Sequence, residues 1–564
     1  MKYRKRAAAK QLTAATLLSA ILLLSFCPAV SGCRHRQTNS PALHQALPDS
    51  LTGVSFDEHL TISVGFWNIQ SMVNSKDKDD ILVFIEDTFN ITIEPVAVSW
   101  VDYKERYQVM SATNSLPDLF SSLTISSNDP NDAAYLISLI ETNSIRSLPE
   151  DLSRYPNISR VMEEFDYIRY KDGRHYALPR LSFQDAALSS SDAAMIVRKD
   201  WMEALNLTPP SSLEEFIDMI CAFARDDPDG NGIDDTIGYN VNSLAALGKW
   251  VMLGIAPECN VYTWVQDEDG TYIPSWLLPE FRDVVSAYRT MYERGGLDPD
   301  FYVKKNTDAV DDFAHGRLGA LEYKSSPSAI TLLENQWELH QEIPFEDAVA
   351  VLHIFPAPDG NYYSNSSNPF WSETLFSSNV DDDKMDRILY LLDYLLSEEG
   401  TFLTCYGMEG VDYIYENGTY QCLLDLGTDT LSQVFETKYP SLALFGSLAT
   451  WGGSWMDFEP NAMNLLRYGE NAMDLAIEDI TWNTENTIPV DRPYDFLIMP
   501  KEYTDQFSTE QVMDDFISVI IGKEDPIRMW EAVIDGYYKN GLAEYISRQN
   551  TAFQNGRSVF RQQE

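Results

Sequence analysis

Thr61-Ile-Ser-Val-Gly-Phe66, Ile91-Thr-Ile-Glu-Pro-Val-Ala-Val98 and Leu116-Pro-Asp-Leu-Phe-Ser121 are three short apolar runs with helical patterns between them. In the first, Ile62, Val64 and Phe66 alternate, as they do on one face of a strand. Between the first two runs Ile81, Phe84, Ile85 and Thr88 recur at helical spacing, with Asp77 as the expected cap and Asn90 at the end. Tyr103 to Ala112 reads as a second helix. Strand, helix, strand, helix, strand within some 60 residues calls for a parallel sheet covered by helices. Ligands of such sheets bind beyond the carboxyl ends of the strands, here marked by Phe66-Trp67-Asn68 and Phe120-Ser121-Ser122.

Upstream lies a leader. Lys2, Arg4, Lys5, Arg6 and Lys10 precede the apolar stretch Leu17 to Phe26, and Val30-Ser31-Gly32 leads into Cys33. This resembles the lipobox of bacterial lipoproteins, in which the leader (1–32) is cut and the cysteine thiol is diacylated. The alternative is an uncleaved signal anchor, because Leu12 to Val30 nearly suffices to span a bilayer. Residues 33–56, with Pro41, Pro48 and many polar side chains, read as a flexible tether.

The 564-residue chain carries a formal charge of −45, which becomes −50 without the leader cations. Such a surface repels nucleic acid and anionic headgroups and excludes both as partners. About 510 residues beyond the tether exceed one hydrophobic core, so at least two compact units are expected. Of six cysteines, Cys221 falls on an apolar helical face, and Cys405 and Cys422 are either bridged or free.

Asp227-Pro-Asp229-Gly-Asn231-Gly-Ile233-Asp-Asp235 places oxygen ligands at positions 1, 3, 5 and 9 of a calcium loop, with the Ile233 carbonyl at 7. Position 12 is Gly238, so the bidentate acid is missing. A plain Asp/Gly/Asn turn is the alternative. There is no GxSxG elbow, P-loop, GxGxxG or HxxxH pair, so nothing supports catalysis. Trp67, Trp371, Trp451, Trp455 and Trp482 sit in polar or Gly-rich surroundings, where each is either a hydrophobic plug or a stacking surface for a sugar ring.

Val197-Arg-Lys-Asp-Trp201, Leu205-Asn-Leu207, a capped helix from Ser211-Ser212 and the Asp227 loop follow one another in order. Tyr406-Gly-Met-Glu-Gly-Val-Asp-Tyr413 with Glu416-Asn-Gly418, then Phe516 to Lys523 and Gly541 to Tyr545, continue the series. The set resembles the extracellular solute-binding proteins of family 1, in the lipoprotein subgroup that serves ABC sugar importers. The resemblance implies a two-lobed α/β fold of the periplasmic-binding-protein kind (type II) with a hinge. The expected lobes are 57–180 with 309–370 and 181–308 with 371–564. It implies a cleft built from Trp67, Asn68, Asp118, Ser121, Arg180, Tyr323, Trp371 and Trp451. It also implies a monomer held on a Gram-positive-like cell surface through Cys33. Such a protein captures an oligosaccharide, delivers it to a membrane permease, needs no organic cofactor and carries structural calcium. Alternatives are a peptide or other small solute on the same fold, a secreted carbohydrate-active enzyme, or an adhesin.

Overall fold

A computed structural model describes residues 47, 51–127, 130–183, 186–242, 247–259, 261, 263–305, 307–366, 369–450, 455–490 and 507–554. Cys33, the leader, most of the tether and Trp451 lie outside the described residues.

Nine strands form the two principal sheets: β1 (Leu60–Trp67), β2 (Ile91–Val98), β3 (Leu119–Ser122), β4 (Leu178–Leu181), β5 (Ala194–Arg198), β6 (Ile237–Val241), β7 (Leu318–Tyr323), β8 (Val349–Leu352) and β9 (Phe370–Phe376). The first sheet has the order β2-β1-β3-β9-β4. Its first three strands are parallel, and β9 runs antiparallel to both β3 and β4. The sequence pattern predicted this β-α-β-α-β start. The helix after β1, α1 (Asp80–Phe89), is capped by Asp79, whose carboxylate accepts the Leu82 amide at 2.9 Å. Asp77 therefore is not the cap. Its successor α2 (Tyr103–Ala112) has the expected bounds. Gly65 in β1 is required by packing: a Cβ there would lie 2.7 Å from the Tyr107 hydroxyl of α2 and 2.9 Å from Pro117.

The second sheet has the order β8-β5-β7-β6, with β5 antiparallel to β8 and β7, and β6 parallel to β7. It is buried on both faces. Met195 and Val197 of β5 enter one core with Tyr239 and Phe216, while Ile196 between them enters another with Phe313 and Trp337. Phe216 belongs to α3 (Leu213–Arg225), capped by Ser212, which accepts the Glu215 amide.

Strand pairing corrects the expected lobe boundaries. β7 and β8 pair with β5, so 309–352 belongs with the second sheet rather than the first. Strand β9 and the helix α5 (Asp382–Leu395; α4 is Pro327–His340) belong with the first, as do residues to about 463. The chain therefore crosses between sheets three times: after β4, after β8, and between the core residues Met463 and Tyr468. Following that last crossing, α6 (Glu470–Asn486) packs against α4 and the 310 segment Ala186–Asp192. Buried strands such as Leu-Gly-Ala-Leu-Glu-Tyr carry no polar face that marks which sheet they join.

Cys221, Cys259, Cys405 and Cys422 are free thiols, so Cys405 and Cys422 form no bridge. Among the described residues no helix is long and apolar enough to cross a membrane.

Candidate ligand-binding site

The carboxyl ends of β1 and β2 and the start of β9 bring four aromatic rings together. Trp67 ends β1 and is buried, and its ring lies 5.1 Å from Trp100, 5.5 Å from Tyr103 and 5.5 Å from Trp371. Trp100 and Trp371 are themselves 5.5 Å apart, inclined by 32°. Trp100 is 48% exposed, so the surface offered to a ligand is Trp100 with half-buried Trp371, while Trp67 forms the base beneath them. Offset and edge-on pairs of this kind each contribute roughly 0.5–1.5 kcal/mol beyond burial, which holds the group rigid. Sequence reading missed Trp100. The signal was present, because Trp100 follows β2 as Trp67 closes β1.

Asn68, next to Trp67, is exposed and adopts φ 59°, a left-handed conformation that Asn tolerates. Its amide donates to the Val98 carbonyl at 2.8 Å, tying the ends of β1 and β2 together. Ser121, near the end of β3, is buried, and its hydroxyl has no hydrogen-bond partner among the described residues.

Behind the rings lies a polar scaffold. Glu373 of β9 is fully buried and accepts the amides of Thr124 (2.8 Å), Ile125 (3.1 Å) and Ser126 (2.8 Å) together with the Thr124 hydroxyl. Burial pushes its carboxyl upward against those hydrogen bonds. Ser372 beside it has φ 63°, and its amide donates to the Ser126 hydroxyl at 2.7 Å. The register of β9 against β4 shifts at this point, which turns Trp371 towards the aromatic group. No sequence pattern announced Glu373, because one acid among 86 acidic residues has no distinguishing spacing.

The structure corrects other expected cleft residues. Arg180 is completely buried and donates to the Ser447 carbonyl at 2.6 Å and to the Ser372 hydroxyl, with its guanidinium over the rings of Phe66 and Trp67. Burial lowers it to about 9, the Glu373 charge opposing the shift. It positions the site from behind. Asp118 lies at the opposite, amino end of β3, where it accepts from the Ser63 amide (2.7 Å) and hydroxyl (2.8 Å) and pairs with Lys384 (3.2 Å). Tyr323 ends β7 in the second sheet and packs on the core around Trp337, apart from the Trp67 group.

The Asp227 loop lies at the amino end of β6. Asp227 takes a left-handed φ of 49°, its Oδ2 accepts the Gly232 amide at 3.0 Å, and its Oδ1 is buried without a hydrogen-bond partner among the described residues. The Asn231 amide group donates to Asp229 (2.7 Å) and Asp235 (3.2 Å), and its oxygen accepts the Ile233 amide at 2.6 Å. Burial raises the Asp229 carboxyl, and the neighbouring acids Asp227 and Asp235 add to the rise. Among the described residues no group of three or more His, Cys, Asp or Glu is set to hold a metal. The orphaned oxygen and mutually repelling carboxylates fit a weak cation site completed by amide and carbonyl oxygens.

A family model described as bacterial extracellular solute-binding protein matches residues 83–405. Lipoprotein LipO of Bacillus subtilis (strain 168) is 25% identical over 342 residues, which is 59% of this chain and 64%, just under two thirds, of LipO. The polygalacturonan/rhamnogalacturonan-binding protein YtcQ of the same strain is 22% identical over 403 residues, 70% of this chain and 74% of YtcQ. The solved structure of the S. pneumoniae ABC-transporter substrate-binding protein FusA in complex with kestose shares the fold, with a TM-score of 0.63 at 15% identity over 88% of this chain and 99% of FusA. An EF-hand mutant of FusA with fructo-nystose gives the same values. With more than half of its length matched by that model, this chain belongs to the bacterial extracellular solute-binding protein family.

Proposed function

We propose that this chain captures an oligosaccharide outside the cell and delivers it to a membrane permease. The observation that carries the reading is the pair of exposed Trp100 and half-buried Trp371, fixed over buried Trp67 at the carboxyl end of β1. Sugar rings present flat C–H faces that stack on indoles, and neighbouring exposed Asn68 supplies hydrogen-bonding groups for hydroxyls. The names of YtcQ and FusA, a polygalacturonan/rhamnogalacturonan-binding protein and one solved with kestose, support a carbohydrate.

The two sheets with their helices act as lobes, joined by the three crossings. Ligand bridging both lobes selects the closed arrangement, because it makes contacts there that the open one lacks. The permease then receives the ligand from the closed form. Binding and release suffice, and no bond is broken. A diacyl anchor on Cys33 keeps the protein at the membrane face and raises its effective concentration at the permease. The Asp227 loop takes calcium through Asp227, Asp229, Asn231, Asp235 and the Ile233 carbonyl, in a structural role away from the cleft.

Thermal unfolding of a soluble version beginning at Leu51, against a panel of oligosaccharides, tests the reading. A ligand at 100 times its dissociation constant adds about 2.7 kcal/mol, a clear rise in melting temperature. A selective rise with one glycan class is expected. A rise with peptides alone would overturn the substrate class.

A further inference from the structure

The second sheet carries an aromatic group of its own. Strands β7 and β8 run in the same direction, since both are antiparallel to β5. His353, the residue after β8, therefore sits at the same sheet end as Tyr323, which closes β7. There the His353 imidazole lies face to face with the Trp482 indole, with centroids 4.3 Å apart and planes 9° from parallel. Tyr362 meets the same indole edge-on at 5.6 Å and 88°.

The crossing after β8 and the helix that follows the last crossing supply these rings. His353 and Tyr362 follow β8, and Trp482 projects from α6. Pairing of Tyr363 and Ser364 with Ile488 and Pro489 binds the two segments, and the Ile488 amide donates to the Tyr362 carbonyl at 2.9 Å. Three residues before Trp482, buried Asp479 accepts a hydrogen bond from Ser325, the second residue beyond β7. The imidazole covers one face of the indole and the phenol meets it edge-on, yet the side chain is only half-buried. A ring already held by its neighbours loses little freedom when a ligand stacks on it.

We infer that Trp482 is the stacking surface of the second lobe, and that the ligand is therefore a chain of sugar rings, one on Trp100 and Trp371 and another on Trp482. This rests on the carbohydrate reading above. A sugar stacked on one aromatic group alone makes no stack that bridges the lobes. A longer chain engages both, so chain length is what selects the closed state.

Titration calorimetry with two length series, oligogalacturonides and fructooligosaccharides from monomer to hexamer, tests this on the wild-type protein, Trp482→Leu, Trp482→Ala, Trp482→Phe and Trp371→Ala. In the wild type, affinity for one series climbs with length. In Trp482→Leu, which keeps apolar bulk without a flat face, the climb flattens and the longest member binds about tenfold more weakly or worse. Trp482→Phe restores most of it. Should Trp482→Ala fail to fold, the Leu and Phe variants carry the comparison. If Trp482→Leu binds every length as the wild type does while Trp371→Ala is impaired, the inference is wrong and the carbohydrate reading stands. If the wild type binds no member of either series but does bind peptides, both fall.

Discussion

Replacing Glu373 by Ala removes the acceptor on which the loop beyond β3 depends. Three backbone amides and one hydroxyl, all of Thr124, Ile125 and Ser126, converge on its two oxygens, and Glu373 and Thr124 have no exposed surface. Each buried donor left without an acceptor costs roughly 1–3 kcal/mol. Water entering from the nearby cleft satisfies some of them, and the burial penalty on the carboxylate disappears. The lower end of the range therefore applies, a loss of about 4 kcal/mol confined to the first lobe. Because a two-lobed protein need not unfold in one step, hydrogen exchange is the suitable assay. Amides of 124–126 and of β9 should lose protection in the variant, while those of β5 and β7 keep theirs. Glycan affinity should fall as well, since Ser372 and Trp371 are held through the same loop. Unchanged exchange at 124–126, or a stability change below about 1 kcal/mol, would refute the reasoning.

Other expectations follow from single sites. Burial pushes the Glu322 carboxyl up to about 7, although it accepts from Tyr239 and the Trp250 amide. The folded state thus holds a proton that the unfolded chain releases near pH 4.5. Stability from this group is full below that pH and lost as pH rises through 7, by about 3 kcal/mol, and denaturation of Glu322→Gln across pH 4–9 should lack that slope. Buried His175, lowered to about 4, acts in the other direction, so stability falls as pH drops from 6.5 to 4 and His175→Gln should remove that loss in acid unfolding curves. Calcium should raise the melting temperature of the wild type and not of Asp227→Asn, and a chelator should reverse the rise. Cys33→Ser should move the protein from the membrane fraction to the medium.

The first sheet was legible because local signals and tertiary packing agree there. Ile62, Val64 and Phe66 alternate, and Asn90 and Asn114 take left-handed turns where the pattern stops. The carboxyl-end rule points to Trp67, Asn68 and Ser121, which the structure has at the ends of β1 and β3, and would have found Trp100 had it been applied to β2. Lobe boundaries were not legible, because Leu318–Tyr323 and Phe370–Phe376 are both short buried strands with nothing to mark their partners. That Arg180 and Asp118 lie away from the aromatic surface was not legible for a related reason. A charged residue near a strand end has the same local sequence whether it faces a ligand or, as here, carbonyls and a lysine. Trp482 and His353 are 129 positions apart, and only the two crossings between them, out to the first sheet and back, bring them into a stack.

Calorimetric titration of the soluble protein with oligosaccharides and, in parallel, with a peptide mixture tests the central claim most directly. Saturable binding of one glycan class, abolished in Trp100→Ala/Trp371→Ala while circular dichroism shows the variant still folded, is the predicted result. Binding of peptides with no response to any glycan, or glycan binding indifferent to both tryptophans, would contradict it.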